Sequence, residues 1–481
     1  MIDPDRSLIQ GLAWTGSVRW GSQILSWVST IIVARLLTPD DFGVFSLVMV
    51  YLGLAALLNE FGLGSAIIAL REMSEHEVAQ FNGFALVLGI VALIVTCLAA
   101  IPVSLYFGVP ELRWVLVAMS VTLLLSGLRT VPASLLERHM QYKTLSLIEG
   151  AQSIAQTLLS VGFAWAGRGY WALALGSIGG AVMGTGLLLI NHGHRFAWPR
   201  LGAIKPAVTM SWRLLVMRLT WYFSSSSDVL VAGKVLGQAA VGTYSMAWSI
   251  AIVPVEKVTG LVVRVAFPLF SSVQDNFAAI RRYVLALTEG IALITLPAAC
   301  GLVMVAKEFV LLVLGPKWID VVVPLQLLAV FTTVRSVTPL FALILNVTGG
   351  ARFAMYNGIF AASLGIGSFY VGSFWGIEGI AMAWVILHPI AVLPNFLWIR
   401  KTIKLGFRAY LKSFYPALSS TLVMIAVLFG LDRVLPAEWP LGTRVGLQVF
   451  VGAVTYVASL VVLHRDRLAA FLKLLKRRDR E

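Results

Sequence analysis

Apolar runs of about twenty residues recur along the whole chain, separated by short polar segments. A helix rises 1.5 Å per residue, so about 20 residues cross a hydrocarbon core of about 30 Å. Fourteen such runs are present, at about 12–34, 42–66, 80–105, 114–136, 145–166, 170–190, 211–232, 241–264, 284–305, 322–347, 355–374, 378–398, 412–431 and 444–463. Hydrocarbon holds no water to satisfy the backbone, so each run must be helical. The pattern predicts an all-α polytopic membrane protein with about fourteen transmembrane helices. The connections are short, leaving little extramembrane mass for an active site.

Composition sharpens the class. Hydrophobic residues make up 59% of the 481 and charged residues 12%, with a mean hydropathy of +0.87. Soluble domains run near 45–50% apolar and about 25% charged, so a soluble enzyme, a disulfide-rich secreted domain and a disordered chain are excluded. The net charge of +14 does not point to nucleic acid, because the basic residues are spread over short segments between apolar runs. Their distribution instead sets orientation. With both termini placed in the cytoplasm, the cytoplasmic segments hold 24 Lys and Arg against 8 on the opposite side. Cys97 and Cys300 both lie inside apolar runs and read neither as a disulfide nor as metal ligands. No cleavable signal peptide is expected, since the first run contains Arg19 and no small-residue cleavage site follows it.

An internal repeat divides the chain. Arg35-Leu36-Leu37-Thr38-Pro39-Asp40-Asp41-Phe42-Gly43-Val44-Phe45-Ser46 recurs 199 residues later as Lys234-Val235-Leu236-Gly237-Gln238-Ala239-Ala240-Val241-Gly242-Thr243-Tyr244-Ser245. Leu37 matches Leu236, Gly43 matches Gly242, Ser46 matches Ser245, and Arg19 falls on Arg218 at the same offset. More loosely, Arg129-Thr130-Val131-Pro132 in span 4 resembles Arg335-Ser336-Val337-Thr338-Pro339 in span 10. Spans 1–6 and 7–12 thus look like two copies of one six-helix unit, a common build for transporters. The expected organisation is an N-lobe over 1–198, a C-lobe over 199–408, two extra spans over 409–464 and a basic cytoplasmic tail over 465–481.

Charges inside spans carry the functional signal. An Arg or Lys at mid-bilayer costs on the order of 2.5–3.5 kcal/mol on insertion scales, so each needs a cavity or a partner. Arg19, Arg129, Arg218 and Arg335 lie in spans 1, 4, 7 and 10, and Lys257 in span 8. Together they suggest a net cationic cavity between two lobes, suited to an anion. Arginine favours phosphate, because its planar fork binds two oxygens at once. The structural alternative is charge pairing, with Arg19 and Glu60 neutralising each other and Glu256 serving Lys257. Span 7 also carries Trp221-Tyr222-Phe223 followed by Ser224, Ser225, Ser226, Ser227 and Asp228, a polar face on a translocation path or a seam of small packing residues. Asp228, Glu60 and Glu256 are the candidates for ion coupling or charge pairing.

Other signals are weaker. Gly176, Gly180 and Gly184 have the spacing of close helix packing. His192 and His194 sit in a basic loop without further ligands, so no metal is expected. No P-loop is present, and no cofactor is expected. Seven prolines interrupt spans, among them Pro132, Pro254 and Pro339, where helices are expected to kink. The tail after His464 is basic and amphipathic and suits an anionic membrane surface.

Several stretches resemble the bacterial polysaccharide transporter family, the O-antigen and exopolysaccharide flippases. They are Ala34 to Gly43, Phe61-Gly62-Leu63-Gly64-Ser65-Ala66-Ile67-Ile68, Glu137-Arg138-His139-Met140-Gln141-Tyr142-Lys143, Phe267-Pro268-Leu269-Phe270-Ser271, and Leu314-Gly315-Pro316-Lys317-Trp318 followed by Pro324-Leu325-Gln326. The family belongs to a superfamily that also contains multidrug extruders and the peptidoglycan-precursor flippase. The resemblance implies a flippase, not an enzyme, that moves undecaprenyl-diphosphate-linked oligosaccharide across the bacterial cytoplasmic (inner) membrane by alternating access, for O-antigen, capsule or exopolysaccharide synthesis. It implies membrane lipids as surroundings, a polysaccharide polymerase and a chain-length regulator as candidate partners, no nucleic acid, and coupling to an H+ or Na+ gradient or the membrane potential. By the same resemblance, spans 13 and 14 suit a polyprenyl tail. A cation-coupled drug or small-molecule exporter is the alternative, disfavoured because basic residues outnumber acidic ones in these spans. A scaffold has no use for intramembrane cations.

Overall fold

The structure is a computed structural model. It describes residues 21–465 except 22, 70–72, 194, 200 and 437, and the side chains of 65, 66, 69, 201–214, 216 and 217 are also outside the description. Arg19 and His194 therefore lie outside the described residues, as does the tail from 466 onward.

The chain is helical, with no strand among the described residues. The helices are α1 (Gln23–Leu36), α2 (Pro39–Glu60), α3 (Leu63–Ala69), α4 (Glu75–Phe107), α5 (Glu111–Met119), α6 (Val121–Arg138), α7 (Tyr142–Trp165), α8 (Tyr170–His192), α9 (Leu201–Val235), α10 (Gln238–Ser272), α11 (Phe277–Val313), α12 (Val322–Arg335), α13 (Thr338–Val347), α14 (Ala351–Ser373), α15 (Gly376–Thr402), α16 (Phe407–Val434) and α17 (Leu441–Leu463). Nine helices, with α5–α6 and the stretch from Pro316 to Val347 each counted once, are long and apolar enough to cross a membrane among the described residues. Each expected run from span 2 onward falls on a helix or a broken helix. Large side chains such as Leu98, Leu105, Ile190 and Val462 face outward, as a hydrocarbon solvent permits.

The ends are set by local chemistry. Thr38 caps α2 and Ser74 caps α4, each in a reciprocal box with the acidic residue three positions on, Asp41 and Glu77. Gly108 ends α4 in the left-handed conformation, where a residue without Cβ carries no penalty. Three expected spans are broken. Phe61 and Gly62, both at positive φ, separate α2 from α3. Ser120 separates α5 from α6, and Ser336 with Val337 separates α12 from α13. Pro339, expected to interrupt its span, stands just past this break in the first turn of α13, where its missing N–H removes no helical bond.

Packing divides the chain into two compact units, residues 1–242 and 243–481. In the first, α7 packs on α8, α4 on α6, and α2 on α4, α6 and α9. The expected helix seam is there: a Cβ on Gly176 would overlap Ser160 Oγ, on Gly180 it would lie 2.8 Å from Gln156 Cβ, and on Gly184 2.5 Å from Gln152 Oε1. In the second unit, α11 is flanked by α12, α16 and α17, and α15 by α12 and α14. A buried cluster there joins Phe270, Ile280, Ile291, Phe341, Phe396, Ile399 and Leu405. By sequence match α9 opens the second copy of the repeat, yet by packing it belongs with α2, α3 and α4.

Candidate functional site

In the first unit α9 runs antiparallel along α2. Arg218 Nη1 donates to Glu60 Oε2 at 3.2 Å, Tyr222 Oη donates to the Val50 carbonyl, and Gly233 lies against Leu47. Arg218 and Tyr222 are four residues apart and so share a face. Gly53 makes room for that face, since a Cβ there would sit 2.6 Å from Tyr222 Oη. Glu60 thus has Arg218 as its described partner, where the sequence suggested Arg19. The Arg218 and Glu60 side chains remain 36% and 41% exposed, so with water present the pair contributes on the order of 1 kcal/mol or less. A guanidinium held this lightly can exchange its carboxylate for another anion.

The polar stretch of α9 splits by depth. Ser224, Ser225 and Ser226 are half-buried, while Ser227 and Asp228 are buried. The Ser225 hydroxyl donates to the Tyr222 carbonyl at 3.1 Å, and Ser227 Oγ lies 3.5 Å from the Ser224 carbonyl oxygen. Asp228 Oδ1 accepts from the Val229 N–H at 2.8 Å. Trp221 is exposed.

Arg129 is placed elsewhere in the same unit. It lies on α6, where Nη1 donates to Gln152 Oε1 and Nη2 is 3.9 Å from Glu149 Oε1, both on α7. Gly184 on α8 is what lets Gln152 occupy that position.

In the second unit Arg335 ends α12, and its guanidinium carbon lies 5.5 Å from the Trp248 ring centroid and 5.9 Å from that of Phe331. Such stacking stabilises a cation by about 0.5–2 kcal/mol. Trp248 also packs on Trp384 at 5.6 Å, and Trp384 Nε1 donates to Tyr244 Oη at 2.9 Å. His388 meets Phe331 edge-on at 5.0 Å, and its Nε2 is 3.0 Å from Thr338 Oγ1. This aromatic group around a cation was missed from sequence. Trp248, Phe331, Trp384 and His388 come from three helices, and each alone resembles an ordinary membrane aromatic. The helix breaks also differ around the two matched arginines: Arg335 stands just before the Ser336 break, whereas Arg129 stands nine residues beyond Ser120. Lys257 is half-buried on α10 and Glu256 is exposed, the two pointing about 100° apart around the helix.

The resemblance motifs have structural duties. Asp41 accepts from the Thr38 backbone N–H at 2.9 Å and hydroxyl at 2.7 Å, and its other oxygen accepts from the Tyr170 N–H at 2.9 Å, placing a carboxylate at the first turn of α8. Gly43 and Gly242, matched in the repeat, meet. A Cβ on Gly43 would overlap the Gln238 carbonyl, and one on Gly242 would overlap the Pro39 carbonyl. Gln238 Nε2 donates to Asp40 Oδ1 at 3.2 Å beside them. Trp318 of the Gly-Pro-Lys-Trp motif is buried behind Gly315, whose φ is 98°.

Residues 32–323 match the Polysaccharide biosynthesis protein family. The chain is 25% identical over 439 residues to the lipopolysaccharide biosynthesis protein WzxC of Escherichia coli (strain K12), covering 89% of this chain and 88% of that one. It is 24% identical over 489 residues to the teichuronic acid biosynthesis protein TuaB of Bacillus subtilis (strain 168), covering 97% and 98%. Among solved structures, the lipid II flippase MurJ in an inward closed conformation superposes with a TM-score of 0.78 at 14% identity, over 94% of this chain and 99% of that one. An inward-facing multidrug transporter of the MATE family gives 0.62 at 16% identity, over 79% and 94%. The fold is that of these multi-span helical transporters, and on the match over more than half its length the chain belongs to the polysaccharide biosynthesis protein family.

Proposed function

We propose that the protein is a flippase that carries undecaprenyl-diphosphate-linked oligosaccharide across the cytoplasmic membrane for assembly of a surface polysaccharide. Family membership supports this cargo, as do relatives named for lipopolysaccharide and teichuronic acid synthesis. The observation that carries the residue-level reading is the half-exposed Arg218, held through one nitrogen by Glu60. A diphosphate offers a stronger, bidentate partner to such a guanidinium. Arg19 matches Arg218 in the repeat, and Arg335 and Lys257 extend the set of cations. Arg129, engaged by Gln152 and Glu149, is read as holding α6 to α7 as well as adding positive charge.

Glu60 and Asp228 are the residues proposed to link transport to an H+ or Na+ gradient or to the membrane potential. Unchanged initial flipping rates after both gradients are dissipated would exclude linkage to either ion. A polymerase and a chain-length regulator are the proposed protein partners, and both termini are placed in the cytoplasm on the Lys and Arg distribution.

The test is a deletion strain complemented with wild type or Arg218→Ala, with polyprenyl-linked glycans measured by mass spectrometry and sidedness by an impermeant glycosidase. The expected result is one complete oligosaccharide unit accumulating on the cytoplasmic face of the deletion strain. Arg218→Ala should restore at most a tenth of wild-type export at equal expression, a loss of about 1.4 kcal/mol of binding or more. Full export by Arg218→Ala would remove that residue from the binding set. Absence of accumulation in the deletion strain, with polymer still made, would point to a different cargo.

A further inference from the structure

The corner between α15 and α16 holds a cavity of about 460 Å³ lined by Leu397, Arg400, Lys401, Lys404, Leu405 and Gly406. Half of its lining residues are cations, and none is acidic. Its floor is rigid. Ile399, Ile403 and Leu405 are buried in a hydrophobic cluster of the second unit, and the Leu405 N–H donates to the Arg400 carbonyl at 3.0 Å. Arg281, from α11, donates to the Lys404 carbonyl at 3.0 Å.

Lys404 itself is the unusual residue. Its φ is +53°, the left-handed conformation that follows many helices and that glycine supplies without steric cost. A lysine there gives up that saving and adds a cationic residue to the pocket lining. Apolar side chains lead away from the pocket on both helices. Leu393 and Leu397 are exposed four residues apart on α15, and Phe407, Leu411 and Leu418 are exposed along α16. Spacings of three, four and seven residues share a helix face. A cationic hollow at the end of lipid-facing apolar stripes suits a molecule with an anionic head and hydrocarbon tails.

We propose that this pocket binds the phosphate headgroup of a membrane lipid, with Arg400, Lys401 and Lys404 as the receiving cations and the acyl chains laid along the exposed faces of α15 and α16. The shared chemistry is a phosphate on a hydrocarbon tail. It has two sources, a bilayer phospholipid or a polyprenyl phosphate. The site lies within the second unit, and the proposal does not depend on the proposed cargo.

The full-length protein in neutral detergent, as wild type, Lys404→Gly and Arg400→Ala/Lys401→Ala, is titrated with phosphatidylglycerol, phosphatidylcholine and undecaprenyl phosphate while Tm is followed. Phosphatidylglycerol should raise the wild-type Tm saturably, with an apparent Kd at least fivefold tighter than for either variant. Phosphatidylcholine should have little effect. Without lipid, Lys404→Gly should match or exceed the wild-type Tm, because glycine suits that φ, so weaker lipid binding there is not misfolding. Tighter binding of undecaprenyl phosphate than of phosphatidylglycerol assigns the pocket to the carrier lipid, and the reverse assigns it to the bilayer lipid. Equal Kd values in wild type and both variants, or equal effects of phosphatidylglycerol and phosphatidylcholine, would overturn the proposal.

Discussion

Asp41 closes the capping box of α2 and receives the first N–H of α8. The sequence marks it only as part of a recurring motif. Nothing local announces the bond to Tyr170, because 129 residues intervene. Replacing Asp41 by Ala removes a cap and strands a backbone donor, a loss of about 1–3 kcal/mol, to be read as a lower Tm in detergent with Asp41→Asn intermediate. Glu77 closes the matching box on α4, outside the apolar run. The Ser74 backbone N–H and then its hydroxyl hold the Glu77 carboxyl below its ordinary value of 4.5. A depressed folded value stabilises the fold above pH 4.5, and that contribution fades as pH falls through the folded value. The Tm gap between wild type and Glu77→Gln should therefore be present at pH 7 and close below about pH 4.5. A gap independent of pH would show that the carboxylate charge plays no part. Arg218 was legible as a costly intramembrane charge, whereas its partner was not, since Glu60 is 158 residues away and was matched with Arg19 in the adjacent span.

Helices were legible because the hydrocarbon thickness dictates a run of about 20 apolar residues, and the sequence supplies such runs plainly. Their interruptions were not. Ser120 and Ser336 carry no special backbone requirement, and Pro339 looks the same in sequence whether it bends a helix or begins one. The α7–α8 seam was legible in the glycine spacing, though not the use of Gly184 to seat Gln152 against Arg129. The repeated glycines were visible as a match, while their contact was not. Because each faces a backbone carbonyl rather than a flexible side chain, neither Gly43→Val nor Gly242→Val can be absorbed by a rotamer change. Each should cost about 1–3 kcal/mol or more, measured as lowered Tm and folded yield, and the smaller Ala substitutions should follow the same order. Wild-type stability in both valine variants would show that this contact is not maintained in solution.

For the molecule as a whole, composition and the apolar runs were enough to read a polytopic membrane protein. The repeat, the intramembrane charges and the family resemblance made it a transporter, and the family match with its named relatives bears that reading out. What composition hides is convergence. Arg335 was singled out by its charge and its match to Arg129, yet Trp248 and Phe331 give it a stacked setting, with His388 edge-on to Phe331. Aromatic faces beside a cation suit a sugar joined to a phosphate, so Trp248→Ala should lower oligosaccharide export roughly three- to tenfold while leaving membrane insertion intact, with export and surface expression measured together. Unchanged export would make the group a packing feature only. The contact of Gly43 with Gln238 and of Gly242 with Pro39 carries a consequence in time as well as space. Backbones this close gain little from a partial separation, since a gap of about 0.5–1 Å already forfeits a quarter to a half of the van der Waals well. Two dyes, at Leu36 and Val235 near the ends of α1 and α9, would therefore report dwell and jump rather than gradual drift if turnover parts these segments, and the lifetime of the seated dwell would time their separation.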